Sequence, residues 1–234
     1  MIINILTING VDMTDAVAQI PPTSEQLSFS LIEMAFKGGW IMLPLLALSI
    51  LTLYIFGERW WAIRKASQID ENFMRNIHDY IHEGKIKAAV NLCQTQETPI
   101  ARLIEKGVER IGRPLNDIQT AVENMGNLEV SRLEKGLPIL ATIAGGAPMI
   151  GFLGTVIGMI QAFYNMSQAG SNVDITLLSG GIYTAMVTTV AGLIVGIFAY
   201  FGYNYLTARI DNIVYKMESN TIEFMDLLHE PANK

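Results

Sequence analysis

Charged residues are scarce in this sequence and are missing altogether from three long stretches. Only 16% of its 234 residues are charged, against roughly 25% in ordinary soluble domains. Residues 38–57, 136–173 and 175–208 contain no Asp, Glu, Lys or Arg. About 20 mainly apolar residues are enough to cross the hydrocarbon of a bilayer. The pattern excludes an ordinary soluble domain and predicts three membrane-spanning helices.

Cysteine is nearly absent as well, because Cys93 is the only one in the chain. A single cysteine excludes an intramolecular disulfide. The first twenty residues contain no Lys or Arg and no continuous apolar core. We therefore expect no cleaved signal peptide and expect the first span to act as the insertion signal. The net charge of −6 is spread over the polar segments, which does not favour a nucleic-acid partner.

The remaining segments are rich in apolar residues at helical spacing, and no strand pattern stands out. Thr98-Pro99 is typical of a helix start. From Pro114 an apolar pattern continues without a clear break into the second span. We predict an all-α membrane protein with three transmembrane helices, the second and third of which extend into a cytoplasmic helical domain. The predicted order is a periplasmic segment with a short amphipathic helix (1–37), span one (38–57), the cytoplasmic helical domain (58–135), span two (136–166), a periplasmic turn (167–175), span three (176–207) and a cytoplasmic C-terminal helix (208–234).

The basic residues predict the orientation of the spans. Twelve Lys and Arg lie between the first two spans, and none lies between the second and the third. Because basic loops stay in the cytoplasm, we expect the large loop and the C-terminal tail to be cytoplasmic. The N-terminus and the short turn would then face the other side.

Glycine, alanine and threonine recur every four residues in spans two and three. Small residues at this spacing let membrane helices approach closely, and threonine can hydrogen-bond across them. A face that lines a narrow polar pathway has the same composition, so both interpretations stay open. The predicted packing positions are Gly151, Gly154 and Gly158 in span two, with Gly181, Gly192 and Gly196 in span three, and the predicted pore-lining positions are Thr155, Thr184, Thr188 and Thr189.

None of the three spans contains Asp, Glu, His, Lys or Arg. Intramembrane proton relays commonly use carboxylates, and a threonine hydroxyl does not titrate at working pH. This chain is therefore not expected to be a self-sufficient proton relay. Neither a phosphate-binding motif nor a nucleophilic triad is present, and His78 and His82 lack a third metal ligand. We expect no enzyme activity, no cofactor and no metal.

Two motifs resemble a known family. GAPMIGFLGTVIGMIQAF (146–163) followed by GGIYTAMVTTVAGLIVGIFAYFGYN (180–204) is similar to the signature region of the MotA/TolQ/ExbB proton-channel family, in particular its ExbB branch. The resemblance implies a bacterial inner-membrane homo-oligomer, a pentameric ring with spans two and three around a pore. It also implies an ExbD-like single-span partner that supplies an essential aspartate, and a TonB-like protein on which the motor acts.

By this resemblance the two pore threonines of the family correspond to Thr155 and Thr189. Thr188 occupies a position that is often alanine, and Thr184 stands where better-known members have glutamate. The expected function is therefore that of a proton-channel subunit which converts the proton motive force into work on TonB for outer-membrane transport. A TolQ-like, gliding or secretion motor subunit and a non-conducting oligomeric scaffold are the alternatives.

Overall fold

The computed structural model describes residues 38–68, 70, 72–168 and 175–229. The amphipathic helix predicted before the first span, most of the turn predicted at 167–175 and residues 230–234 lie outside this described part. The chain from residue 38 onward forms one compact unit.

The described residues form helices joined by short turns. The helices are α1 (Met42–Ala66), α2 (Phe73–His82), α3 (Ile86–Thr95), α4 (Pro99–Val108), α5 (Leu115–Glu134), α6 (Leu137–Gln168) and α7 (Ile175–His229). Three stretches are long and apolar enough to cross a membrane, namely Met42–Ala66, Leu115–Gln168 and Leu178–His229. The predicted all-α fold with three spans is therefore confirmed.

The helix that leads into the second span is interrupted, contrary to the sequence-based prediction. α5 ends at Glu134 and α6 begins at Leu137, with Gly136 at φ +88° between them. A side chain on any other residue is strained in this left-handed region. The apolar pattern nevertheless continues across the turn, because Leu133 and Leu137 are both buried in the same core. Periodicity alone therefore did not reveal the break.

Helix α7 joins the membrane part of the protein to the helical domain without interruption. Its 55 residues give it a length of about 80 Å at about 1.5 Å per residue, whereas the hydrocarbon core of a bilayer is about 30 Å thick. Most of α7 therefore projects beyond the membrane. Ile213 and Phe224 on this projecting part are fully buried, so α7 forms one wall of the helical domain.

The apolar core of the helical domain is built from α2–α5 and the projecting part of α7, together with the adjoining ends of α1 and α6. Thr98 caps α4, since its hydroxyl oxygen accepts a hydrogen bond from the amide of Ala101 at 3.2 Å and Pro99 is the first helical residue. This predicted helix start is confirmed. Cys93 lies in the same core, where burial raises the pKa of its thiol to about 12. The thiol therefore stays protonated and unreactive.

A buried carboxylate joins α4 to α5, and a hydrogen bond from the end of α1 to the α5 backbone lies beside it. Glu129 on α5 is only 1% exposed, and its two carboxylate oxygens accept hydrogen bonds from Arg102 on α4 at 2.7 Å and from Arg132 at 2.5 Å. Arg59 on α1 donates to the backbone carbonyl of Arg132 at 3.2 Å. Arg102 and Arg132 are partly exposed, so the carboxylate of Glu129 is the desolvated member of the group. A buried charge is tolerated only when it is paired in this way.

Replacing Glu129 with alanine tests this network. We expect Glu129→Ala to lower the free energy of unfolding by about 2 kcal/mol, since charge-assisted hydrogen bonds contribute about 1.5–3 kcal/mol. The measurement is a denaturant titration of the purified protein in micelles, followed by circular dichroism. Glu123→Ala, on the exposed side of the same helix, is the matched control and should change stability by less than about 0.5 kcal/mol. Equal effects of the two substitutions would contradict the structural role of Glu129.

Candidate functional site

The close approach of α6 and α7 is made possible by glycine on both helices. A Cβ atom added to Gly192 would lie 2.6 Å from the carbonyl oxygen of Ala147 and 2.9 Å from the Cα of Gly151. A Cβ atom on Gly151 would lie 2.9 Å from the carbonyl oxygen of Thr188. Because backbone atoms are the obstacle, no side-chain adjustment relieves these contacts. The two backbones touch here, as the small-residue spacing predicts.

The same packing continues along the helix pair in both directions. Towards one end, Gly158 packs against Ala185 and Gly181 packs against Ala162. A Cβ atom added to Gly181 would lie 2.6 Å from the Cβ atom of Ala162. Towards the other end, Gly196 contacts the ring of Pro148. Gly158, Gly181 and Gly196 therefore each meet an alanine or a proline ring on the other helix.

Thr155 and Thr189 meet across this interface. Their hydroxyl oxygens are in direct hydrogen-bond contact, and either one can be the donor. Thr189 Oγ1 also lies 3.2 Å from the carbonyl oxygen of Gly151, and Thr155 Oγ1 lies 3.4 Å from that of Ala185. Both side chains are partly exposed at the edge of the interface. We call these two residues the hydroxyl pair.

Thr188 is buried on a different side of the interface, near the residues that precede α1. Its side chain is 1% exposed and its hydroxyl donates to the carbonyl of Ala185 at 2.8 Å. It fills the space above Gly154, where an added Cβ would collide with it, and its methyl group lies near Gly38. Successive helical residues are turned by about 100°, so Thr188 and Thr189 point to different sides. These contacts favour the packing interpretation for Thr188.

Thr184 is one helical turn from Thr188 and is partly exposed. It has no hydrogen-bond partner among the residues that the structure describes. That Thr184 lines a pore remains a prediction.

The hydroxyl pair can bind a proton-carrying group but cannot carry a proton itself. A threonine hydroxyl both donates and accepts hydrogen bonds, and it does not titrate at working pH. Each oxygen of the pair keeps acceptor capacity beyond the contacts described above. The pair can therefore accept a hydrogen bond from a water molecule or a protonated carboxyl group, and it can donate to a carboxylate when a hydroxyl hydrogen turns away from its backbone carbonyl. Such a carboxyl group would have to come from another chain.

Glu129 was not identified from the sequence, although a signal for it was present. It lies seven residues after Val122 and four before Leu133, which places it on the apolar face of α5. A carboxylate at a core position needs a partner. The spacing of three residues on one helix could have suggested Arg132 as a partner, but not Arg102, which is on a different helix.

Comparison with known proteins is consistent with the resemblance. The model of the MotA/TolQ/ExbB proton channel family matches residues 95–219. The chain is 32% identical to a biopolymer transport protein described as ExbB-like 1 of Synechocystis sp., over 76% of this chain and 71% of that protein. An ExbB homolog of Methanothermobacter thermautotrophicus is 30% identical over 81% of this chain and 67% of its own length. The Tol-Pal system protein TolQ of Haemophilus influenzae is 36% identical over 45% of this chain and 46% of its own length.

A methyl group on Gly192 tests the backbone contact between α6 and α7. We expect Gly192→Ala to lower the free energy of unfolding by about 1–3 kcal/mol, the usual cost of overpacking. The measurement is the same denaturant titration, together with a yield of folded protein from membranes. Gly180→Ala on the same helix is the control, because nothing lies within 4 Å of the position of its added Cβ. If both variants behaved alike, close contact at Gly192 would not be needed for the helix pair.

Proposed function

This chain belongs to the MotA/TolQ/ExbB proton channel family, and from this premise we propose that it is the ring-forming subunit of a proton-driven motor of the ExbB type. In this proposal several copies assemble around a single-span, ExbD-like partner. Inward proton flow through the assembly does work on a TonB-like protein for outer-membrane transport.

The hydroxyl pair is the observation that carries this proposal. Thr155 and Thr189 place two hydroxyl groups at a partly exposed edge of two long apolar helices. Residues 136–173 and 175–208 contain no charged side chain that could bind a proton in place of the hydroxyl groups. An aspartate of the partner at this depth would be the titratable group, and the hydroxyl pair would hydrogen-bond to it. Thr184 would line the same pathway.

The proposed orientation places the helical domain in the cytoplasm and the N-terminus in the periplasm of a bacterial inner membrane. The support is the contrast between twelve basic residues in the loop before the second span and none in the turn after it. The proposed role is that of a channel and motor subunit without enzyme activity.

A TolQ-like role is the second candidate. It is favoured by the similarity to TolQ proteins, one of which, from Pseudomonas aeruginosa, is 24% identical over 82% of this chain and 88% of its own length. The two roles share the channel mechanism and differ in the partner that is moved. The identity of the single-span partner therefore distinguishes them.

Replacing the hydroxyl pair tests the proton pathway. We expect Thr155→Ala and Thr189→Ala each to reduce proton influx about tenfold or more, because losing a hydrogen bond to a charged group costs about 1.5–3 kcal/mol. The measurement is the pH change inside vesicles that contain the co-purified complex, under an imposed membrane potential. Thr155→Ser, which keeps the hydroxyl, should restore most of the flux.

Thr142→Ala is the matched control for this experiment. Thr142 is exposed on α6 and its hydroxyl donates to the carbonyl of Pro138 on the same helix. We expect Thr142→Ala to leave proton influx unchanged. Each variant must also assemble like the unmodified protein. Full activity of both alanine variants would exclude the hydroxyl pair from the pathway and favour a non-conducting scaffold.

The partner can be identified directly. We expect native mass spectrometry of the tagged protein, extracted gently from its host membrane, to show a homo-oligomer with fewer copies of a small single-span protein. The sequence of that protein should contain an aspartate or glutamate within its span, because the ring has no carboxylate of its own at that depth. A ring without any such subunit would contradict the proposed motor function.

A further inference from the structure

A cleft lies between the end of α1 and α7, at the boundary between the membrane part and the helical domain. It has a volume of about 650 Å³. One wall consists of α1 residues from Trp60 onward and the other of α7 residues from Tyr205 onward. The buried side chains of Ile63 and Leu206 form its floor. We call it the basic cleft, after the three cations that line it, Arg64, Arg209 and Lys216.

The basic cleft has three positive charges and no negative one among its lining residues. Arg64, Arg209 and Lys216 form no ion pair with any acidic side chain that the structure describes. Lys216 also lines a neighbouring cavity with Asp70 and Glu223, but it is paired with neither. Three unpaired cations around one cavity attract an anion, and arginine in particular is suited to phosphate.

Aromatic rings hold both arginines in the basic cleft. The guanidinium of Arg64 lies over the ring of Trp60, 5.7 Å from its centroid, and that of Arg209 lies 5.4 Å from the centroid of Tyr205. Arg209 also donates to the Tyr205 hydroxyl, at 3.3 Å from Nε and 3.2 Å from Nη2. A guanidinium has five N–H donors, so each arginine keeps donors for a ligand. Fixing the arginines in advance reduces the entropy lost when an anion binds.

The depth of the basic cleft is that of lipid headgroups. Arg209 is the first charged residue after the uncharged stretch 175–208, and Trp60, which lines the cleft, follows closely on the uncharged stretch 38–57. Tryptophan and tyrosine are enriched at this level of a bilayer. Leu53 and Phe198 lie two helical turns deeper on the same helix faces as Trp60 and Tyr205, and both are exposed. The cleft is therefore basic at headgroup depth and continues into an apolar surface at acyl-chain depth.

We propose that the basic cleft binds the phosphate headgroup of an anionic phospholipid from the leaflet next to the helical domain. Arg64, Arg209 and Lys216 contact the phosphate, while the lipid tails lie along the exposed apolar residues of α1 and α7. A soluble phosphate compound would satisfy the cations but not the apolar surface. The bound lipid would stabilise the position of α1 against α7, where the membrane part meets the helical domain.

The test is a binding assay on the purified full chain in micelles, with radiolabelled phosphatidylglycerol as the probe. Unlabelled phosphatidylglycerol, phosphatidylcholine with the same acyl chains, and glycerol phosphate are the competitors. We expect phosphatidylglycerol to compete about tenfold better than phosphatidylcholine, and glycerol phosphate not to compete, since each basic residue near an anionic lipid contributes several-fold in affinity.

The combined variant Arg64→Gln, Arg209→Gln, Lys216→Gln should lose this tenfold preference. Lys216→Gln alone should lose part of it, and this single change remains informative if the combined variant does not fold. The control variant has the same loss of charge at three exposed cations outside the basic cleft, Lys87, Arg113 and Lys135. It should keep the preference within about twofold.

Three results would overturn the proposal. The first is an unmodified protein that does not prefer phosphatidylglycerol over phosphatidylcholine. The second is an equal loss of preference in the control variant, which would mean that general surface charge attracts the lipid. The third is effective competition by glycerol phosphate, which would assign the cleft to a soluble phosphate compound.

Discussion

Direct contact between the backbones of α6 and α7 is the constraint on which the other features of the membrane part depend. At Gly151 and Gly192 the two helices are so close that even a methyl group would overlap main-chain atoms. In a bilayer there is little hydrophobic gain from bringing two apolar helices together, so close van der Waals contact between small residues must hold them. This explains why uncharged helices, whose outer faces are bulky and apolar, keep glycine on the faces that meet.

The same contact places two hydroxyl groups within hydrogen-bond distance of each other. Thr155 and Thr189 meet only because the glycines beside them let the helices approach, so packing and polar chemistry are not alternatives at this site. The small residues let the two helices approach closely, and the hydroxyl pair at the edge provides the hydrogen-bonding groups. A stripe with this composition can therefore hold the helix pair together and present a polar edge to a partner.

Movement in the membrane part can reach the helical domain through α7, which runs through both without a break. Two groups of charged side chains lie near the boundary between the membrane part and the helical domain. Glu129 joins α4 and α5 through Arg102 and Arg132, and Arg59 links α1 to the same place. In the basic cleft, Arg64, Arg209 and Lys216 have no acidic partner within the described part of the chain. The carboxylate of Glu129 is paired within the protein, whereas in our proposal an anion from outside pairs with the cations of the cleft.

The sequence by itself determined that the protein has three spans, because long uncharged apolar stretches have no stable alternative to a membrane helix. It also determined the start of α4 at Thr98 and the small-residue faces of α6 and α7, since caps and helical spacing are local properties. Only the tertiary structure decided that Thr189 meets Thr155 while the adjacent Thr188 is buried beside Gly154. It alone also revealed the break at Gly136 and the pairing of Glu129 with Arg102. The physical reason is that periodicity gives the angle between residues on one helix, whereas the rotation of that helix against its neighbours depends on contacts between residues far apart in the chain.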